Sequence, residues 1–147
     1  MKPDVRECSV ARTLDLVGTK WTLLAVREIL LGSHRFEEIA RYTGAPRDIL
    51  TDRLRRLEAE GLVARVQYEE RPPRFEYHLT DLGRSLIPII ATLREFGDRH
   101  LAGSDGPPIR LEHSCGATYH PVMACAACGE VVRRGEVTVV DLPAAAS

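Results

Sequence analysis

The chain has 147 residues, 44% of them hydrophobic and 28% charged, with a formal net charge of -1. This is globular composition with room for one ordinary domain and a small appendage, and it excludes a disordered or collagen-like chain. Near-neutral charge also excludes a uniformly basic nucleic-acid binder, so any DNA-binding face must be local. Asp4, Glu7 and Asp15 interrupt any apolar run near the N-terminus, and Leu86–Ala91 is far too short to span a bilayer. A cytoplasmic protein is expected. Four cysteines without an export signal then read as thiols or metal ligands rather than a disulfide framework.

Residues 1–7 read as a loose arm. Val10, Leu14 and Val17 recur at i, i+4, i+7 and predict a short helix from Ser9 to Val17 that stops near Gly18. Trp21, Leu24, Ala25 and Ile29 predict the apolar stripe of a second helix, closed by Gly32. Phe36–Thr43 forms a third helix pattern, ended by Gly44, and Arg47–Leu57 a fourth, ended by Gly61. Leu62–Val66 and Phe75–Leu79 then bracket Glu69–Arg74 as a hairpin carrying Pro72 and Pro73. Helix, tight turn, basic helix and hairpin is the layout of a winged helix-turn-helix. After it, Thr80 can N-cap one long helix with apolar positions from Leu82 to Leu101, kinked at Pro88 because proline removes an intrahelical hydrogen bond.

The fourth helix divides into two faces. Leu50, Leu54 and Leu57 lie on one side, while Arg47, Thr51 and Arg55 lie on the other with Asp48 and Asp52 beside them. A recognition helix needs that division, one face anchored and the other offering hydrogen-bonding groups to base edges. Arg47 and Asp48, at the N-terminal end, are placed to reach bases. Arg53, Arg55 and Arg56 suit phosphate contacts that set register. Arg71 and Arg74 sit at the wing tip, and Arg35 precedes the first helix of the pair. Between Arg47 and Arg56 four Arg stand against two Asp, a local positive excess within a neutral chain. An Arg-rich helix alone is more often a solvated face, but the Gly44 turn, the hairpin and the paired prolines all agree with the DNA reading.

These residues carry a resemblance. Cys8–Leu24, Arg35–Ile39, Leu50–Glu58, Gly61–Val63, Pro72–Tyr77 and Leu79–Gly83 look like successive signatures of the HxlR-type transcription regulators, over roughly residues 8–101. The resemblance implies a winged-helix homodimer related to the MarR group, binding double-stranded DNA. It also implies a dimer interface built from the N-terminal helix and the long helix over 81–101. A two-fold dimer predicts a pseudo-palindromic operator. Several such regulators sense electrophiles or oxidants through a cysteine at the position of Cys8, so redox sensing there is an implied role beside that of a packing residue. A helix start and nearby cations favour the thiolate this needs. The effector, a small molecule or an oxidant, is not specified by any residue pattern.

Gly103–Pro108 has linker composition, and residues 109–142 form a Cys-rich segment. His113-Ser114-Cys115-Gly116 is followed by Cys125-Ala126-Ala127-Cys128-Gly129. The second half has zinc-knuckle form, two sulfurs converging on a turn with Gly after the second ligand. His113, Cys115, Cys125 and Cys128 make a plausible tetrahedral set for a structural Zn²⁺, with His120 as a spare ligand. Val131-Val132 and Val137–Val139 would flank it as strands. A metal-free module or a disulfide under oxidation are the competing readings. Many HxlR-type proteins end near the long helix, so this extension is not implied by the resemblance.

The expected fold is therefore mainly α with a small β component. It comprises a winged helix-turn-helix and dimerisation domain over 1–102, a linker over 103–108, a small zinc-ribbon-like β module over 109–142, and a disordered tail over 143–147. No catalytic constellation is visible: the histidines are scattered and four soft ligands would close a metal site. The expected function is sequence-specific transcriptional regulation, most simply repression. The alternative is a winged-helix and zinc-ribbon module that docks protein without specific DNA binding.

Overall fold

The computed structural model describes residue 6 and residues 8–141; the expected arm, apart from Arg6, and the expected tail lie outside them. The chain divides into two compact units, one covering Cys8–Ile87 and the other described from Pro88 to Asp141. Helix α1 covers Ser9–Val17, α2 Lys20–Leu30, α3 Phe36–Thr43 and α4 Arg47–Ala59. Strands β1 (Val63–Glu70) and β2 (Pro73–Leu79) follow, then a single turn α5 (Asp81–Arg84) and α6 (Ile87–His100).

The core of the first unit is helical. Val17, Ala25, Val26, Ile29, Ile39, Leu50, Leu54 and Leu57 are buried, joined by Leu62, Val63 and Leu79 from the base of the hairpin. Burying each large aliphatic side chain contributes about 1.5–3 kcal/mol, so the spacing of Leu50, Leu54 and Leu57 accounts for much of what fixes α4. On α2 the buried set is Thr22, Ala25, Val26, Glu28 and Ile29, with Trp21 and Leu24 only half-buried. The stripe is thus rotated from the expected one. Thr22 and Glu28 can sit inside because their polar groups are matched: Thr22 bonds the Thr19 hydroxyl, and Glu28 takes Arg27 and Ser33.

The α3–α4 turn is short. Gly44 caps α3 with φ +70°, a left-handed conformation that glycine adopts without strain. The Thr43 hydroxyl donates to Ile39 O and accepts from Ala45 N, Ala45 is buried, and Pro46 is the N-cap of α4.

Strands β1 and β2 pair antiparallel from Val63↔Leu79 to Glu70↔Pro73, longer than the bracketing runs suggested, with an irregularity between Gln67 and Glu69. An isolated two-stranded hairpin is marginal in water. This one is anchored at its base. Tyr77 N donates to His34 O at 2.7 Å, and the His34 and His78 rings stack with centroids 4.2 Å apart. On the far side, Thr80 caps α5 by accepting from Gly83 N. A Cβ on Gly83 would run into the carbonyl of Leu62, so that close approach is reserved for glycine.

The single kinked helix expected over 81–101 is a correction. The helix breaks at Ser85–Leu86, and Pro88 lies in the first turn of α6 rather than mid-helix. Proline is tolerated there because the first-turn N–H groups have no intrahelical partner to lose. Leu86, in the break, is buried.

In the second unit α6 supplies the anchoring groups. Glu95, only 8% exposed, accepts from Arg99 Nε at 2.6 Å and faces His120 Nδ1 at 3.0 Å. The His120 hydrogen bond, then that of Arg99, holds the Glu95 carboxyl below its usual range. Arg94 bonds Asp98 and the carbonyl of Tyr119. The expected strands at Val131-Val132 and Val137–Val139 do not form. Among the described residues this segment has two isolated bridges, Glu112↔Thr118 and Ala124↔Val131, and Val137 and Val139 are exposed. β-branched residues make a strand only where another strand and a buried face receive them.

Candidate nucleic-acid interface

Helix α4 presents the division its sequence called for. Leu50, Leu54 and Leu57 face the core, while Arg47, Asp48 and Arg55 are exposed. The individual side chains do different things. Arg47, the first residue of α4, donates from Nη1 and Nη2 to the two carboxylate oxygens of Glu37, both at 2.7 Å, and its guanidinium lies 4.9 Å from the Phe36 ring centroid. The hydrogen bond with Arg47 lowers the Glu37 carboxyl pKa, and the same bond raises that of Arg47. The Thr51 hydroxyl donates to Arg47 O at 2.8 Å, within its own helix.

Arg53 pairs with Asp52 at 3.2 Å, and its Nε is buried without a partner among the described residues. Arg56 Nη2 donates to the carbonyl of Asp15 at 2.6 Å, tying α4 to α1. Arg55 and Arg71 are exposed and carry no ion pair among the described residues. In the wing, Arg74 pairs with Glu69 at 3.2 Å. Arg35 reaches Glu76 at 3.6 Å and lies over the Tyr68 ring, linking the start of α3 to the hairpin. Of the nine residues expected to meet DNA, Arg47, Asp48, Thr51 and Arg55 share the exposed side of one helix, Arg71 and Arg74 the wing. Arg35, Arg53 and Arg56 complete the nine, and these three, like Arg47 and Arg74, have their cationic heads on intramolecular partners. The residue that sequence reasoning missed is Glu37. Its signal was available only as a carboxylate in the first turn of α3, which the helix dipole also explains.

Cys8 is the N-cap residue of α1 and is exposed, with no side-chain cap hydrogen bond. The C-terminal cysteines are also exposed free thiols. Cys125 and Cys128 share one turn: N–H groups of Cys128 and Ala127 and the Cys128 side chain lower the Cys125 pKa, and Gly129 closes the turn at φ +75°. His113 and Cys115 occupy a separate turn, where the His113 ring nitrogen Nδ1 accepts from Cys115 N at 3.2 Å. These two line an open hollow of about 400 Å³ with His120 and Tyr119, and neither Cys125 nor Cys128 borders it. Among the described residues no three His, Cys, Asp or Glu side chains are gathered to hold a metal ion. The four residues of the expected zinc set stand in these two turns, two in each, and His120 is engaged by Glu95.

A helix-turn-helix with a two-stranded wing, its second helix offering polar groups to solvent, defines a winged-helix transcription factor. Residues 16–105 match the HxlR-like helix-turn-helix family, and the chain belongs to it. It is 46% identical over 131 residues to an HTH-type transcriptional regulator of Mycobacterium tuberculosis, Rv3095, covering 88% of this chain and 83% of that one. Among solved structures, PA1607, assigned as a transcription factor, is 31% identical with a TM-score of 0.78, covering 90% of this chain and 94% of that one. The redox regulator HypR in its reduced form is 38% identical with a TM-score of 0.58, covering 64% of this chain and 96% of HypR. The protein is thus a transcriptional regulator with a winged helix-turn-helix domain. No helix among the described residues is long and apolar enough to cross a membrane.

Proposed function

We propose that this regulator is a homodimer that binds a pseudo-palindromic operator in double-stranded DNA and represses the adjacent gene. The observation that carries this is the two-faced α4, with its leucines buried and Arg47 and Arg55 exposed, followed by a wing with exposed Arg71. Helix α4 enters the major groove and the wing meets the flanking backbone. Dimerisation is supported by exposed apolar side chains: Val10 and Leu14 on α1, and Ile89, Leu93 and Phe96 at i, i+4, i+7 on α6. Footprinting on the DNA upstream of its own gene, with a salt titration, tests this reading. The expected result is a two-fold-symmetric protected site whose affinity falls by about 10³–10⁵ between 50 and 200 mM salt, as for roughly 6–10 phosphate contacts. A flat salt response with no footprint would instead favour a protein-docking module.

We further propose that Cys8 is a thiol through which oxidants or electrophiles release the DNA. Its exposed place at the start of α1 and the likeness to HypR support this. Diamide is expected to weaken operator binding by the native protein and to leave Cys8→Ser unaffected. An equal response in both proteins would move sensing elsewhere.

A further inference from the structure

We infer that Glu37 and Phe36 are positioning residues that aim Arg47 at a guanine, so that base preference is set by α3 as well as by the recognition helix. This rests on the DNA-binding reading above and adds to it a specificity determinant outside α4.

The guanidinium carries five N–H donors fixed in one plane. Two of its edges are two-pronged: the end formed by Nη1 and Nη2, and the side formed by Nε and Nη2. Glu37 takes the end, with Nη1 donating to Oε2 and Nη2 to Oε1, each at 2.7 Å. Phe36 lies against the guanidinium, 4.9 Å from its ring centroid. The side edge is left open, since Nε has no acceptor among the described residues. A pair of parallel N–H groups is what guanine O6 and N7 accept in the major groove.

Two consequences separate this arginine from Arg55. A long side chain held on one edge and against a ring loses less freedom when it meets a base, so the contact is pre-organised. The Glu37 carboxylate also cancels the charge of Arg47, which weakens its pull on any phosphate while leaving its directional hydrogen bonds intact. The pair therefore favours reading a base over docking on backbone. Arg55 has no such partner among the described residues and suits a phosphate.

The test is selection of bound sequences from a random duplex library by the full chain and by Arg47→Ala, Glu37→Gln, Glu37→Asp and Phe36→Leu, with thermal unfolding of each. The native protein is expected to select a motif containing one strongly preferred G per half-site, which Arg47→Ala erases. Glu37→Gln should weaken preference at that same position about tenfold, leaving the other positions and the unfolding temperature unchanged. Glu37→Asp should restore part of the preference, and Phe36→Leu should lower it less. The inference is overturned if Glu37→Gln keeps or sharpens the preference that Arg47→Ala erases, since Glu37 would then be a bystander or a competitor. It is overturned equally if Arg47→Ala erases no preference. A native protein that selects no motif at all overturns the DNA-binding reading itself, a result distinct from either.

Discussion

Leu54→Ala is expected to destabilise the protein by about 2–5 kcal/mol, the range for deleting a fully buried leucine and leaving a cavity. Leu54 is 1% exposed and sits between Leu50 and Leu57 on the buried face of α4. Small domains have only about 5–15 kcal/mol in total, so this is a large share. For a unit of this size each kcal/mol lowers the unfolding temperature by about 4–8 °C, which predicts a drop of about 8–40 °C. A circular-dichroism melt measures it, with Leu82→Ala as the control. Leu82 is 56% exposed, and its truncation should change stability far less. A drop of only a few degrees for Leu54→Ala would mean that α4 is not held by this face. The placement of every DNA-facing residue would then need revision.

The largest effect on binding is expected from Arg47→Ala. Losing a two-pronged contact to guanine weakens binding about tenfold at one half-site, and a dimer loses it twice, giving roughly a hundredfold loss on the operator. Binding to unrelated DNA should change little, because Glu37 already neutralises this arginine. Arg55→Ala should behave oppositely. It should weaken operator and unrelated DNA alike and reduce the salt slope by about one per phosphate contact removed. Fluorescence anisotropy with both duplexes at two salt concentrations separates these patterns. If the two arginines gave the same pattern, the division of labour along α4 would be gone.

Much of the winged unit was legible in the sequence because its punctuation is local. Gly44 and Gly61 end α3 and the α4 segment, and the runs Leu62–Val66 and Phe75–Leu79 on either side of the paired prolines mark the hairpin without distant information, although its strands extend further toward the tip. Reading failed where a tertiary partner decides the outcome. On α2, Ala25 and Ile29 are buried as expected, while Trp21 and Leu24 are only half-buried and Thr22, Val26 and Glu28 are buried instead, Glu28 because Arg27 and Ser33 fold onto it. Apolar spacing from Leu82 to Leu101 looked continuous, yet Pro88 starts a new helix instead of bending an old one. The valines near the C-terminus have strand propensity and no strand to pair with. Among the candidate site residues, spacing placed Arg47 correctly on the exposed face of α4. It gave no hint of Glu37 ten positions away, since that meeting is made by the angle between two helices. Arg56 shows the same limit: its bond to Asp15 spans 41 positions.

That last bond is a single tether between two helices. Arg56 lies near the end of the recognition helix and grips a backbone carbonyl of α1, the helix that Cys8 begins. Backbone cannot be repositioned without moving the helix it belongs to. Any chemistry at Cys8 that tilts or unwinds α1 must either break this bond or drag the far end of α4 with it. A rod pulled at one end turns about its packed middle, the leucines, and swings its other end. At that end stands Arg47, so under the proposed function a disturbance at the first helix would be expected to misaim its contact with a base.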